Sequence, residues 1–129
     1  MKKNKGQSLI EMTGAIAILG IIILALIGVA TISVRNASFS RNQVLATKYA
    51  QEAIEKVRAY REQNTWDNFK DNCSNFIRGM TLVSPFSLDD SETNCTCGSD
   101  SCDVKIVVSW TDAEGVHKSE LTTRLTKWK

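Results

Sequence analysis

One histidine, His117, stands in a chain of 129 residues, and that scarcity bounds the chemistry. A hydrolytic site needs a nucleophile, a base and an orienting group, and most catalytic metal centres need several imidazoles. His117 sits beside Lys118 in a strand-like stretch and reads as a surface residue. A glycine-rich phosphate loop and a paired-carboxylate motif are also missing, so the chain reads as no enzyme and no cofactor is expected. Beyond the first five residues, lysine and arginine clusters of nucleic-acid-binding type are lacking too. The basic residues after Val34 alternate with acids and serines, so nucleic acid is not a predicted partner. The net charge of +2 belongs to the first residues: removing residues 1–6 takes away Lys2, Lys3 and Lys5 and leaves −1. No internal repeat or low-complexity tract is present, and the length leaves room for one domain.

Charge is absent from Met12 to Val34, a stretch longer than the roughly 20 residues that cross a bilayer core. It reads as a membrane helix. The three leader lysines favour a cytoplasmic N-terminus, against which Arg35 and Arg41 weigh. The short basic leader ends at Gly6, before the apolar run begins. A secretory signal has the opposite order, with an A-x-A-like site after the apolar region, and none follows here.

The helical pattern continues beyond Val34. Ala46, Ala50, Ala53, Ile54 and Val57 recur at spacings of three and four, with Lys48, Glu52, Glu55, Arg58 and Glu62 around the rest of the circumference. One helix from about Ser8 to about Gln63 is predicted, on the order of 85 Å long at 1.5 Å per residue. Its second half is therefore extramembrane, with a narrow apolar face that needs a cover. Trp66, Phe69, Cys73, Phe76 and Ile77 share one face of a short second helix with Thr65 as N-cap. The period then changes to two: Val104, Ile106, Val108 and Trp110 alternate with Lys105, Val107 and Ser109. Asp112-Ala113-Glu114-Gly115 forms a turn, and Val116 to Lys127 returns as a strand. Met80 to Ser84, ended by Pro85, is the expected third strand, and residues 87–102 read as a polar loop.

Gly6-Gln7-Ser8-Leu9-Ile10-Glu11, followed by an uncharged apolar helix, resembles the cleavage and methylation motif of type IV prepilins and of type II secretion pseudopilins. The resemblance implies a scissile bond between Gly6 and Gln7, a methylated amine on Gln7, and an assembly role for Glu11. It implies an α+β, pilin-like fold in which a long N-terminal α-helix packs on a small antiparallel β-sheet. It further implies four segments: a leader, residues 1–6; a membrane and filament-core half-helix, 7–34; an amphipathic half-helix, 35–64; and a disulfide-tied head, 65–129. Implied partners are a prepilin peptidase, other pilin or pseudopilin subunits, an inner-membrane assembly platform, and the lipid bilayer before assembly. Gln7 stands where the family usually has phenylalanine or methionine, Gly20 matches a glycine frequent in its helix, and Gly28 stands where many members have a proline. Tyr49 to Arg58 followed by Trp66, and Val108-Ser109-Trp110 with Leu125 to Trp128, resemble the later helix and closing hairpin of minor pilins and pseudopilins.

Physical chemistry supports the same roles. Glycine lets a backbone lie extended in a protease cleft, and a carboxylate at the edge of an apolar span is costly without a cation. The terminal amine of a neighbouring Gln7 is the nearest chemically sensible one in a bundle of such helices. The rival reading is a signal-anchored extracytoplasmic binding module that never polymerises.

No cysteine precedes Cys73, so Cys73, Cys95, Cys97 and Cys102 all lie beyond the apolar run, on the presumed oxidising side, and disulfides are expected. Of the three pairings, any with Cys95–Cys97 closes a strained ring. Two remain: Cys73–Cys95 with Cys97–Cys102, or Cys73–Cys97 with Cys95–Cys102. Each bridge adds about 2 to 4 kcal/mol to so small a head. Paired C-x2-C knuckles are lacking, so a metal is not expected. Asp89, Asp90, Glu92, Asp100 and Asp103 lack EF-hand spacing and read as a solvated acidic loop.

Overall fold

The computed structural model describes residues 5–127. In chain order they form α1 (Lys5–Gln63), α2 (Trp66–Arg78), β1 (Ser87–Leu88), β2 (Asn94–Cys97), β3 (Ser101–Asp112) and β4 (Gly115–Thr126). They fall into two compact units, divided between Ser40 and Arg41.

The first unit is the part of α1 up to Ser40, and from Leu9 onward every residue of it is exposed. Isoleucine and valine are abundant here, and their stiff χ1 makes them mediocre helix formers in water. In hydrocarbon the helix is favoured because it satisfies every backbone group within the segment. The two threonines follow the same logic. Thr13 Oγ1 donates to the carbonyls of Leu9 and Ile10 at 3.1 and 3.0 Å, and Thr31 Oγ1 to that of Ile27 at 2.5 Å, so neither hydroxyl needs an outside partner.

The second unit is built on β3. β4 pairs with it antiparallel along its whole length, from Ser101↔Thr126 to Asp112↔Gly115. The other edge is shared end to end by β2, with Asn94↔Lys105 to Cys97↔Cys102, and β1, with Ser87↔Ser109 and Leu88↔Val108. Between those two strands the chain turns, yet it stays on the edge: Thr93 Oγ1 accepts from the Val107 amide at 3.0 Å, and the Asp89 amide donates to the Val107 carbonyl at 2.9 Å. Cys102, Val104, Ile106, Val108 and Trp110 alternate onto one face of β3 and are all buried. The amphipathic half of α1 covers that face with Ala46, Ala50, Ala53, Ile54 and Val57. Small side chains let the helix lie close, and the contact is keyed by Thr47 to Ser119 at 3.1 Å, Arg58 to Thr123 at 3.4 Å and Arg61 to the Thr126 carbonyl at 3.0 Å. α2 adds Phe69, Cys73 and Ile77 to the same core.

The expected helices are present, and α1 ends at Gln63. Thr65 occupies the N-cap of α2 with extended backbone, although its side chain makes no capping bond; its carbonyl accepts from the Phe69 amide at 2.9 Å. The third strand lies elsewhere than the pattern predicts. Met80–Ser84 is no strand, because the chain turns at both ends, with the Met80 amide donating to Ile77 and the Phe86 amide to Val83. Strands β1 and β2 instead fall in the segment that reads as a loop. Its alternating Cys95 and Cys97 carry an inward face that a hydropathy pattern does not register as apolar strand. Trp128, part of the expected closing hairpin, lies outside the described residues.

The β3–β4 turn depends on Gly115, whose φ of 132° L side chains rarely adopt. A Cβ there would meet no atom within 4 Å, so the cost of Gly115→Ala is conformational rather than steric. Urea denaturation of the variant is expected to show a loss of about 1–3 kcal/mol. Gly79→Ala is the control, because Gly79 has ordinary helical φ and ψ of −77° and −7°.

Candidate functional site

Gly6, Gln7 and Glu11 lie in the first turns of α1. Glu11 is exposed, and among the described side chains no cation pairs with it. Beyond it, from Met12 to Val34, the helix carries no charge and is mostly apolar. Leu9 is 69% exposed, Leu24 71% and Val34 70%, and no large apolar side chain between them is covered. Isolated soluble proteins seldom expose apolar patches beyond a few hundred Å². This helix is long and apolar enough to cross a membrane. Gly14, Gly20 and Gly28 have nothing within 4 Å of where a Cβ would stand, so packing within the chain does not require them.

The four cysteines form two disulfides, Cys73–Cys95 and Cys97–Cys102. This is the first of the two pairings left open by spacing. It ties α2 to β2 and closes the β2–β3 turn. The sulfurs that a metal would need are thereby consumed.

The acidic segment is more ordered than its composition suggests. Lys118 crosses the outer face of the sheet to reach Asp89 at 2.7 Å and Glu92 at 2.6 Å, supplying the cation that an oxygen-rich loop would otherwise take from solution. Arg124 holds Asp103 through two bonds of 2.6 and 2.9 Å. The Lys118 ammonium, helped by Ser91, holds the Asp89 carboxyl down at about 2, and Asp89 with Glu92 pushes Lys118 up to about 12. Asp89, depressed on folding, contributes stability that is complete above its ordinary value of 3.8 and is lost as pH falls towards 2. Lys118, raised on folding, contributes stability that is complete below 10.5 and is lost as pH rises through about 12. Thermal melts from pH 5 to pH 2 should therefore fall less steeply for Lys118→Ala than for the unaltered chain, with Arg124 still holding Asp103. Equal slopes would rule out the Lys118 clamp. Sequence reading misses this residue because its partners lie 26 and 29 positions away.

His117 is not a plain surface residue. It is half-buried, stacked against Trp110 at 5.4 Å, and its Nε2 lies 2.9 Å from Asp112 Oδ1.

A long apolar N-terminal helix joined to a small antiparallel sheet is an α+β, pilin-like arrangement. Residues 1–27 match the prokaryotic N-terminal methylation motif, the signature of type IV pilin-like prepilins. Comparison with curated proteins and with solved structures finds no match.

Proposed function

We propose that the chain is the precursor of a minor pilin or pseudopilin, a structural, non-enzymatic subunit of a type IV pilus-like or type II secretion-like filament. The supporting observation is positional: the methylation motif at residues 1–27 leads directly into an apolar helix that the chain itself leaves uncovered. A prepilin peptidase cuts between Gly6 and Gln7 and methylates the Gln7 amine. Before assembly residues 7–34 lie in the bilayer with the N-terminus cytoplasmic and the head, residues 65–129, on the far side. Loss of the three leader lysines removes the charges that resist movement of the helix out of the membrane. The assembly platform then passes it into a bundle of like helices, where residues 35–64 carry the head and Glu11 pairs with the terminal amine of a neighbouring Gln7.

Sequencing the N-terminus of the chain recovered from its host tests this reading. A start at Gln7 is expected. A chain still beginning at Met1, with its lysines, would instead be a signal-anchored binding module.

A further inference from the structure

The two disulfides are packed sulfur against sulfur. Cys95 and Cys97 occupy alternate positions of β2, so both side chains leave the same face of the strand. Their Sγ atoms are 3.7 Å apart, although they belong to different bridges. The sulfurs of Cys95, Cys97 and Cys102 all lie within 4.8 Å of one another, and that of Cys73 is one covalent bond from Cys95. Exposure divides them differently. Cys73 and Cys102 are fully buried, whereas Cys95 and Cys97 are half-buried on the edge strand. Each bridge thus offers one sulfur to an external nucleophile and hides the other.

We propose that the four sulfurs are a single thiol-exchange centre, open to a small thiol or dithiol at Cys95 and Cys97, through which the folded head isomerises between its two permitted pairings. An external thiolate attacks Cys97 Sγ and forms a mixed disulfide there. The Cys97–Cys102 bond breaks, and its electron pair stays on Cys102 as thiolate. Cys102, already within reach of Cys95, attacks that sulfur, forms Cys95–Cys102 and releases Cys73 as thiolate. Cys73 then attacks Cys97 and expels the external thiolate unchanged. The product holds Cys73–Cys97 and Cys95–Cys102, with no net oxidation or reduction. Entry at Cys95 runs through the same sulfurs to the same product. In both pairings Cys73 ties α2 to β2, and Cys102 ties β3 to β2, so exchange abolishes neither tether. The third pairing is off this route, because it needs a bond between Cys95 and Cys97 across one residue. The consequence is that oxidation of the head needs no fixed order of bond formation.

The test uses the full chain in detergent micelles with reduced glutathione at mildly alkaline pH, followed by acid quench and alkylation. Trypsin releases Cys73 on peptide 71–78 and the other three cysteines on peptide 79–105, and electron-transfer fragmentation locates the links. The pairing of Cys73–Cys97 with Cys95–Cys102 is expected to rise from none to a plateau, with glutathione found on Cys95 or Cys97, while near-ultraviolet circular dichroism stays native. The third pairing should appear only after unfolding in urea. A plateau at which one bridge is opened but neither Cys73–Cys97 nor Cys95–Cys102 ever forms, absence of reaction, or the third pairing arising in the native chain each overturns the proposal.

Discussion

Glu11→Ala is expected to leave cleavage after Gly6 intact and to lower incorporation of the chain into filaments by about 10²–10⁴-fold. The size follows from the surroundings. Between Lys5 and Arg35 Glu11 is the sole ionisable side chain, on a helix that is otherwise uncharged and mostly apolar. Once such helices bundle, a carboxylate and an amine are withdrawn from water together, and removing one strands the other. Breaking a buried pair in this way costs about 3–5 kcal/mol, and each 1.4 kcal/mol is tenfold in an equilibrium. Glu11→Gln keeps shape and polarity but not charge, so it should lose nearly as much. The readout is the fraction of mature chain in sheared filaments against that left in the membrane, with the mature mass confirming processing. Normal incorporation of either variant would sink the ion-pair role.

Trp110→Ala carries the largest expected effect on stability. Trp110 is 1% exposed, sits at the end of the buried face of β3, and is flanked by Phe86 at 6.1 Å and by the His117 ring at 5.4 Å. Phe86 in turn leans on Tyr49 of α1 at 5.2 Å, so the indole links sheet, loop and helix. Large-to-small substitution of a buried aromatic costs about 3–5 kcal/mol through lost transfer energy and the cavity left behind. For a head of this size that is a fall of roughly 12–40 °C in melting temperature. Calorimetry of the full chain in detergent measures it directly. Trp110→Phe, which keeps a ring in the site, should recover most of the loss. A small shift for Trp110→Ala would mean that Phe86 and Tyr49 collapse into the space.

How far the structure was legible depended on the range of the interaction. α1 was readable to its last residue because its signal is continuous: an uncharged run, then a helical period through Ala46, Ala50, Ala53 and Val57 that faces the sheet. β3 and β4 were readable because alternation and a glycine turn are local. β1 and β2 were not. Asn94-Cys95-Thr96-Cys97 is too short and too polar to announce a strand, and it becomes one by hydrogen bonding to a strand already in place. The choice of disulfides had the same character. Spacing left two pairings, and the pairing formed in the folded head depends on α2 laying Cys73 against β2. His117 looked like a surface residue until Trp110 was seen stacked against it.

What the sequence by itself determined are the features written in linear order: three lysines before Gly6, Glu11 five residues further on, an uncharged run long enough for a bilayer, and cysteines confined to the part beyond it. Order along a chain survives without folding. What only the tertiary structure decided are the couplings between distant segments: which sulfurs meet, that Lys118 neutralises Asp89 and Glu92, and that β1 and β2 share one edge of β3. Most of those depend on groups brought together from 20 or more positions apart, as for Cys73 with Cys95, Lys118 with Asp89 and Glu92, and β1 with β3. Loop closure has to be offset by the shared core before any of them forms.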